Sequence, residues 1–317
     1  MNSTLFIVGN GLSIDLLCRY LKLDIHPSSP FLFGVPDPFD SGKKLLDTLT
    51  RVKHMIKSYP NIRDFDIIQN FVKNYQKNNE EDQWKHCELR YYLSLAYSYA
   101  NDILLDRWEK DWRWEVWINK NYNNIVGVIS LNYDLVLETT LNKSSLRYYR
   151  IGSTEEDNPT GILIFKPHGS CDFDISNRAI SVLPKLRLKN LTSLNEFIIN
   201  GRGRVETVSE EKLLEPRTEA DIVLPLEFSP QTQLTWVRQG YETVRQIAKT
   251  VDTFIILGIS YQPCDRREIN SIIDNIPANT KIQLINPKPN AEFERKLRRV
   301  SDNVQRINPT DFFDDII

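Results

Sequence analysis

Six short apolar runs, at residues 5–8, 125–130, 162–165, 222–224, 253–257 and 282–285, constrain the fold of this 317-residue sequence more than any other feature. Their apolar residues are consecutive, not alternating, which is the pattern of strands buried on both faces. Helical patterns lie between most of them. Strands alternating with helices predict an α/β protein, a Rossmann-like open parallel sheet with helices on both faces. On such sheets a ligand sits beyond the carboxyl ends of the strands. The residues that follow each run are therefore the candidates for chemistry.

The first run ends in Gly9-Asn10-Gly11-Leu12-Ser13. Two glycines permit a tight turn and let backbone N–H groups approach an anion, and the helix that follows adds its positive end. Ser13 can cap that helix or bond a phosphate. The dinucleotide fingerprint G-x-G-x-x-G fails at Ile14, and no acidic residue closes a clear second strand about 20 residues on. The turn alone is equally well read as structural.

The second run ends in Ser130-Leu-Asn-Tyr-Asp134. Asn132 and Asp134 have two readings. They can serve as helix N-cap and first-turn acid, or they can project together into a ligand crevice. The third ends in Pro167-His-Gly-Ser170, where His168 is either a turn residue or a general base with the ordinary histidine pKa near 6.5. Gly258 and Ser260 follow the run at 253–257, and Asn286 follows the last. Small and polar groups at five strand ends outline a site for a long ligand rich in phosphate and hydroxyl groups.

The chain is expected to be a single domain over 1–317, carrying a helical insertion at 40–121 and a second, partly mobile insertion at 172–220. Helical patterns at 65–75, 89–105 and 108–117 fill the first. Trp108 and Trp112, four residues apart, would share a helix face there. They form either a core seam or a partner surface. Asn200-Gly-Arg-Gly-Arg204 in the second insertion reads as a loop or hairpin.

A net charge of -2 gives no global pull toward nucleic acid, and none is expected to bind directly. Cys18, Cys87, Cys171 and Cys264 are isolated, which excludes a zinc knuckle and a disulfide framework and fits reduced thiols in the cytoplasm. The N-terminus makes a poor signal peptide, and no apolar run approaches the ~20 residues of a membrane helix.

Taken in order, G-N-G-L-S at 9–13, L-N-Y-D at 131–134, P-H-G-S at 167–170, L-G-I-S at 257–260 and L-I-N-P at 284–287 resemble the sirtuin-like superfamily, and its bacterial antiphage-defence branch most. The resemblance implies that NAD is the substrate. It implies that Gly9, Asn10, Gly11 and Ser13 hold the phosphates, and that Gly258, Ser260 and Asn286 surround the adenosine half. It gives Asn132, Asp134 and His168 the catalytic roles. Asn132 would orient ribose or water, Asp134 the carboxamide, and His168 would take a proton.

The implied activity is hydrolysis of NAD+ to nicotinamide and ADP-ribose by an NAD-depleting defence effector, with no metal. The implied assembly is a homo-oligomer, a separate activating protein (a motor ATPase, an Argonaute or a nucleotide-sensing subunit), or both. Deacylating sirtuins carry two cysteine pairs that bind a structural zinc. This sequence has none, so a zinc domain is not expected. Alternatives are a non-catalytic sensor of NAD or ADP-ribose and a zinc-free NAD-dependent deacylase. Residues 34–39 are similar to the family's cofactor-loop motif, but lie farther from Gly11 and carry an extra Pro38.

Overall fold

A computed structural model describes residues 2–76, 78–175, 205–215, 220–224 and 235–313. Its centre is a seven-stranded sheet. In chain order the strands are β1 (Thr4–Val8), β4 (Ile125–Ser130), β5 (Tyr148–Arg150), β6 (Ile162–Phe165), β10 (Thr253–Leu257), β11 (Lys281–Ile285) and β12 (Val304–Ile307). The spatial order is β12-β11-β10-β1-β4-β6-β5, and every pairing is parallel. The α/β open parallel sheet expected from the apolar runs is the fold.

Burial on both faces explains the consecutive apolar residues. Leu5 and Ile7 of β1 join Phe165, Phe254 and Ile256 in one cluster, while Phe6, Val8, Ile164, Ile255 and Leu257 join another. The first is covered by α8 (Thr235–Ala248), α9 (Arg266–Ile273) and α10 (Ala291–Val300), through residues such as Trp236, Ile269 and Phe293. The second is covered by α6 (Arg113–Asn121) and α7 (Val136–Lys143), together with Leu12 and Leu16 from the helical turns after β1. Each buried large side chain contributes roughly 1.5–3 kcal/mol by leaving water.

Chain order jumps to opposite sides of β1: β4 lies on one flank and β10 on the other. This is a topological switch point, where the loops after adjacent strands diverge and leave a crevice. Register aligns them, since Val8 pairs with both Leu257 and Ser130. The loops beginning at Gly9, Leu131 and Gly258 thus leave the sheet at one level.

The segment 40–121 opens on β3 (Asp40–Lys44), an exposed strand paired antiparallel with β2 (Pro36–Asp37). Helices α2 (Leu45–Thr48), α3 (Thr50–Lys57), α4 (Asp64–Asn74) and the 27-residue α5 (Glu80–Asp106) follow. They bury a third apolar cluster of their own, which reaches Tyr133 beside the crevice. Helix α5 starts cleanly because Asn79 Oδ1 accepts from the Asp82 N–H at 3.2 Å and Glu80, Glu81 and Asp82 face the positive helix end.

Two expectations are corrected, the shared helix face of Trp108 and Trp112 and the place of the run at 222–224, and one open alternative is decided. Helix α5 stops at Asp106 and α6 begins at Arg113, so Trp108 and Trp112 do not share a helix. Trp112, Trp114 and Trp117 are buried, the last two against Phe312, so they form a seam inside this chain and not a surface. The run at 222–224 is not in the parallel sheet. Ile222 ends β9 (Ala220–Ile222), which pairs antiparallel with β7 (Gly169–Ile175), as does β8 (Val205–Thr207). Residues 200–204 lie outside the described residues. No described helix is long and apolar enough to cross a membrane.

Candidate functional site

A cleft of about 580 Å³ opens over the switch point. Gly9, Asn10, Gly11, Asn132, His168, Gly258, Ser260 and Asn286 all line it, so eight candidates from five strand ends converge. Ser13 and Asp134 do not line it. They lie buried behind its floor. No residue of 34–39 lines it either.

The glycines let two turns pack closely. A Cβ on Gly11 would stand 2.3 Å from Gly258 Cα, so the turns after β1 and β10 meet backbone to backbone. Gly258 also has φ +63, a conformation that favours glycine. The Gly9 N–H donates to Leu257 O at 3.0 Å and the Gly11 N–H to Gly258 O at 3.1 Å. Both amides are engaged inside the protein. Their work is to close the strand ends together. Gly9 is the helix N-cap, and Ser13 does not cap.

Behind the floor runs a chain of hydrogen bonds. Asn132 Nδ2 donates to Gly9 O at 3.1 Å and to Ser13 Oγ at 3.0 Å, and the Ser13 hydroxyl donates to Asp134 Oδ2 at 2.7 Å. Asp134 Oδ1 accepts from the Val136 N–H at 3.1 Å, the first turn of α7, whose N-cap is Leu135 and not Asn132. Asp134 therefore holds Ser13, which holds Asn132. The amide orientation is fixed by the two acceptors, Gly9 O and Ser13 Oγ. Asn132 Oδ1, buried with its residue 3% exposed, has no hydrogen-bond partner among the described residues. An unpaired buried acceptor costs roughly 1–3 kcal/mol.

Burial raises the pKa of Asp134, and the Lys166 charge, the Ser13 hydroxyl and the Val136 amide oppose the rise. Lys166 is itself fully buried. Its Nζ donates to Asp134 O at 2.6 Å and to Glu138 Oε1 at 3.0 Å. Arg150, also buried, holds Asp172 at 2.6 Å and Glu155 at 2.7 Å. Paired charges of this kind replace the water that each lost. They brace the ends of β5 and β6 beneath the site.

His168 stands on the turn between β6 and β7. That turn is pinned by Val223, whose N–H donates to His168 O at 2.9 Å and whose carbonyl accepts from Tyr133 Oη–H at 2.6 Å. The run at 222–224 thus supports the site from outside the main sheet. His168 Nε2 lies 2.7 Å from Glu268 Oε2 and Nδ1 lies 3.1 Å from Leu131 O. Burial disfavours a charged ring, but Glu268, with Asp265 beyond it, outweighs burial and lifts the pKa to about 9. The expectation of an ordinary pKa near 6.5 is corrected: the Glu268 carboxylate, brought from α9, raises it.

The remaining candidates are engaged differently. Asn286 Nδ2 donates to Ile259 O at 2.8 Å and its Oδ1 accepts from the Lys288 N–H at 3.0 Å, so its side chain builds the turn after β11. Asn10 Nδ2 reaches Ser28 Oγ at 3.3 Å. Ser260 is exposed on the cleft wall. Phe65, Asp66 and Gln69 of α4 form the opposite wall, and Gln69 Nε2 meets Cys264 Sγ at 3.3 Å. Burial, reinforced by Asp265, pushes the Cys264 thiol far up, so it stays protonated. Among the described residues, no group of three or more His, Cys, Asp or Glu is placed to hold a metal ion.

No family model matches the sequence, and no curated protein matches it. Solved structures do match in outline. A sirtuin described for the basis of its substrate affinity is 13% identical, with 98% of this chain and 89% of that chain covered and a TM-score of 0.38. A Sir2 enzyme described with a p53 peptide and NAD+ is 12% identical, with 98% and 88% covered and a TM-score of 0.39. A Sir2 structure bound to a propionylated peptide is 12% identical, with 98% and 88% covered and a TM-score of 0.35.

Proposed function

We propose that this cleft binds NAD+ and hydrolyses it to nicotinamide and ADP-ribose. The observation that carries the reading is Asn132, which lines the same cleft as His168, its amide held by Gly9 O and Ser13 Oγ and its buried Oδ1 without a hydrogen-bond partner among the described residues. An acceptor fixed in advance suits a ribose hydroxyl or an attacking water. The cleft volume of about 580 Å³ lies in the range of small-molecule and cofactor sites. The ordered motifs from Gly9 to Asn286 supply the identity of the ligand by resemblance.

The bond between ribose C1′ and the nicotinamide nitrogen breaks with its electron pair passing to the ring. Nicotinamide leaves neutral and needs no acid. The sugar gains oxocarbenium character, as in other glycosyl transfers. Positioning and electrostatics then carry the rate. In this reading Asn132 orients the sugar or the water. Asp134, not lining the cleft, keeps Ser13 and Asn132 in place and lends negative charge from beneath. His168 takes the proton from water at Nε2, once the ring is neutral and that nitrogen has parted from Glu268 Oε2.

Nicotinamide released from NAD+ by the purified protein, with Asn132→Ala and His168→Ala inactive, is the expected result. Equal release by wild type and both variants contradicts the reading. The engagement of both His168 nitrogens favours one second reading, a sensor that binds NAD or ADP-ribose without cleaving it. Intact NAD recovered from the bound state after long incubation distinguishes it. Depletion of NAD as an antiphage effector, with self-assembly or an activating partner, extends the first reading. A measured loss of cellular NAD on infection, abolished by Asn132→Ala, tests that extension.

A further inference from the structure

His168 is flanked by two groups that only accept hydrogen bonds. Leu131 O faces Nδ1 at 3.1 Å, and a Glu268 carboxylate oxygen faces Nε2 at 2.7 Å. Both contacts are satisfied in two ways only. Either the ring carries two protons beside a carboxylate, or a neutral ring donates from Nδ1 and accepts from a glutamic acid. In each case the pair holds one proton more than imidazole plus carboxylate. That proton must leave before the ring can take another.

We propose that Glu268 is the positioning residue for His168: it fixes the ring's orientation, holds the shared proton, and so sets the pH above which the site has a base. Its effect on turnover rests on the NAD-cleavage reading; the pairing does not.

The surroundings fit this role. Glu268 lies in the first turn of α9, whose positive end favours its charge. Asp265 adds a second carboxyl on the same side, itself pushed up by burial against the pull of His168. Cys264 stays a thiol. From the turn after β4 come the Tyr133 ring, 6.2 Å from the His168 ring, and Asp134, which faces Ser13. Lys166, two residues upstream, spends its charge on Asp134 O and Glu138. Nearby anions therefore outweigh cations around the ring, consistent with a pKa lifted to about 9. Glu268 itself does not line the cleft, so it acts through His168.

The chemistry balances. A water oxygen bonds to C1′, the C1′–N electron pair goes to nicotinamide, and the water proton goes to His168 once the shared proton has been released to solvent. Glu268→Gln keeps the size of the side chain and removes its charge. Without that charge, burial pulls the His168 ring down from its raised value.

The test follows the imidazole NMR signals of His168 across pH, assigned by their absence in His168→Ala, in wild type, Glu268→Gln and Glu268→Asp. Nicotinamide release is measured over the same range. The expected result is a midpoint near 9 in wild type that falls toward 6.5 in Glu268→Gln, with Glu268→Asp staying high and the rate profile moving with the ring. An unchanged midpoint in Glu268→Gln overturns the pairing. A moved midpoint with an unmoved rate profile overturns the role in turnover. A moved midpoint with no NAD cleavage by any protein supports the pairing and refutes the assigned reaction instead.

Discussion

The two sides of the cleft floor are built on different physics. On the Asn132 side the groups are linked by hydrogen bonds through Ser13 to Asp134, and one buried acceptor has no partner among the described residues. On the His168 side both ring nitrogens are taken, and the ring and the Glu268 carboxylate share a proton. The first side is ready for a ligand at any pH that keeps the fold. The second becomes a base only when a proton leaves. The difference separates binding from chemistry: the Asn132 side supplies orientation, and the His168 side supplies a pH threshold.

The largest effect comes from breaking the first side. Asn132→Ala removes the open acceptor and the amide that holds it, and nicotinamide release falls by about 10²–10³-fold, as when a fixed hydrogen-bonding group at a reaction centre is lost. The loss is expected at every pH, because no titrating group is removed. A variant whose rate recovers at high pH would erase the distinction between the two sides.

The second effect is on stability. The folded pKa of His168 is about 9, above the 6.5 of a free ring. The stability gained from the pair is fully present below pH 6.5 and is lost as pH rises through about 9. Its size is of order 3 kcal/mol, at about 1.4 kcal/mol per tenfold. Denaturant unfolding of wild type across that interval measures it, and His168→Ala is expected to lack this part of the slope.

Ser13→Ala ranks third. It removes the hydroxyl that donates to Asp134 and accepts from Asn132, and costs about 1–3 kcal/mol. Turnover falls while the shape of the pH profile stays that of wild type. A shifted profile would show that the two sides are coupled. The smallest effect is Asn79→Ala, which removes the cap of α5 far from the cleft. It costs about 1 kcal/mol of stability and leaves turnover unchanged.

Much of the sheet was legible because strands buried on both faces must be apolar at consecutive positions, as β4 and β6 are. The edges were not. Tyr148-Tyr149-Arg150 of β5 and Gln305-Arg306 within β12 carry polar residues where only one neighbour strand pairs. The run at 222–224 has the same apolar character as a central strand, and sequence does not say which sheet it joins. The strand ends pointed to the cleft, since register and the switch point bring them together.

Glu268 was invisible for a different reason. It lies 100 residues from His168, and in sequence it reads as an ordinary first-turn acid. Lys166, Glu138 and Arg150 likewise read as surface charges until the fold buries them in pairs. The packing of Gly11 against the backbone of Gly258 is not legible in sequence, because a turn glycine looks the same whatever it faces.

The most direct test of the central claim is conversion of NAD+ to nicotinamide and ADP-ribose by the purified protein, followed from neutral pH to about pH 9 above the enzyme-free rate. The account predicts conversion that climbs as the His168 pair loses its proton and that is about 10²–10³-fold lower at every pH in Asn132→Ala. Intact NAD+ across the whole range, or cleavage by Asn132→Ala at the wild-type rate, would contradict it.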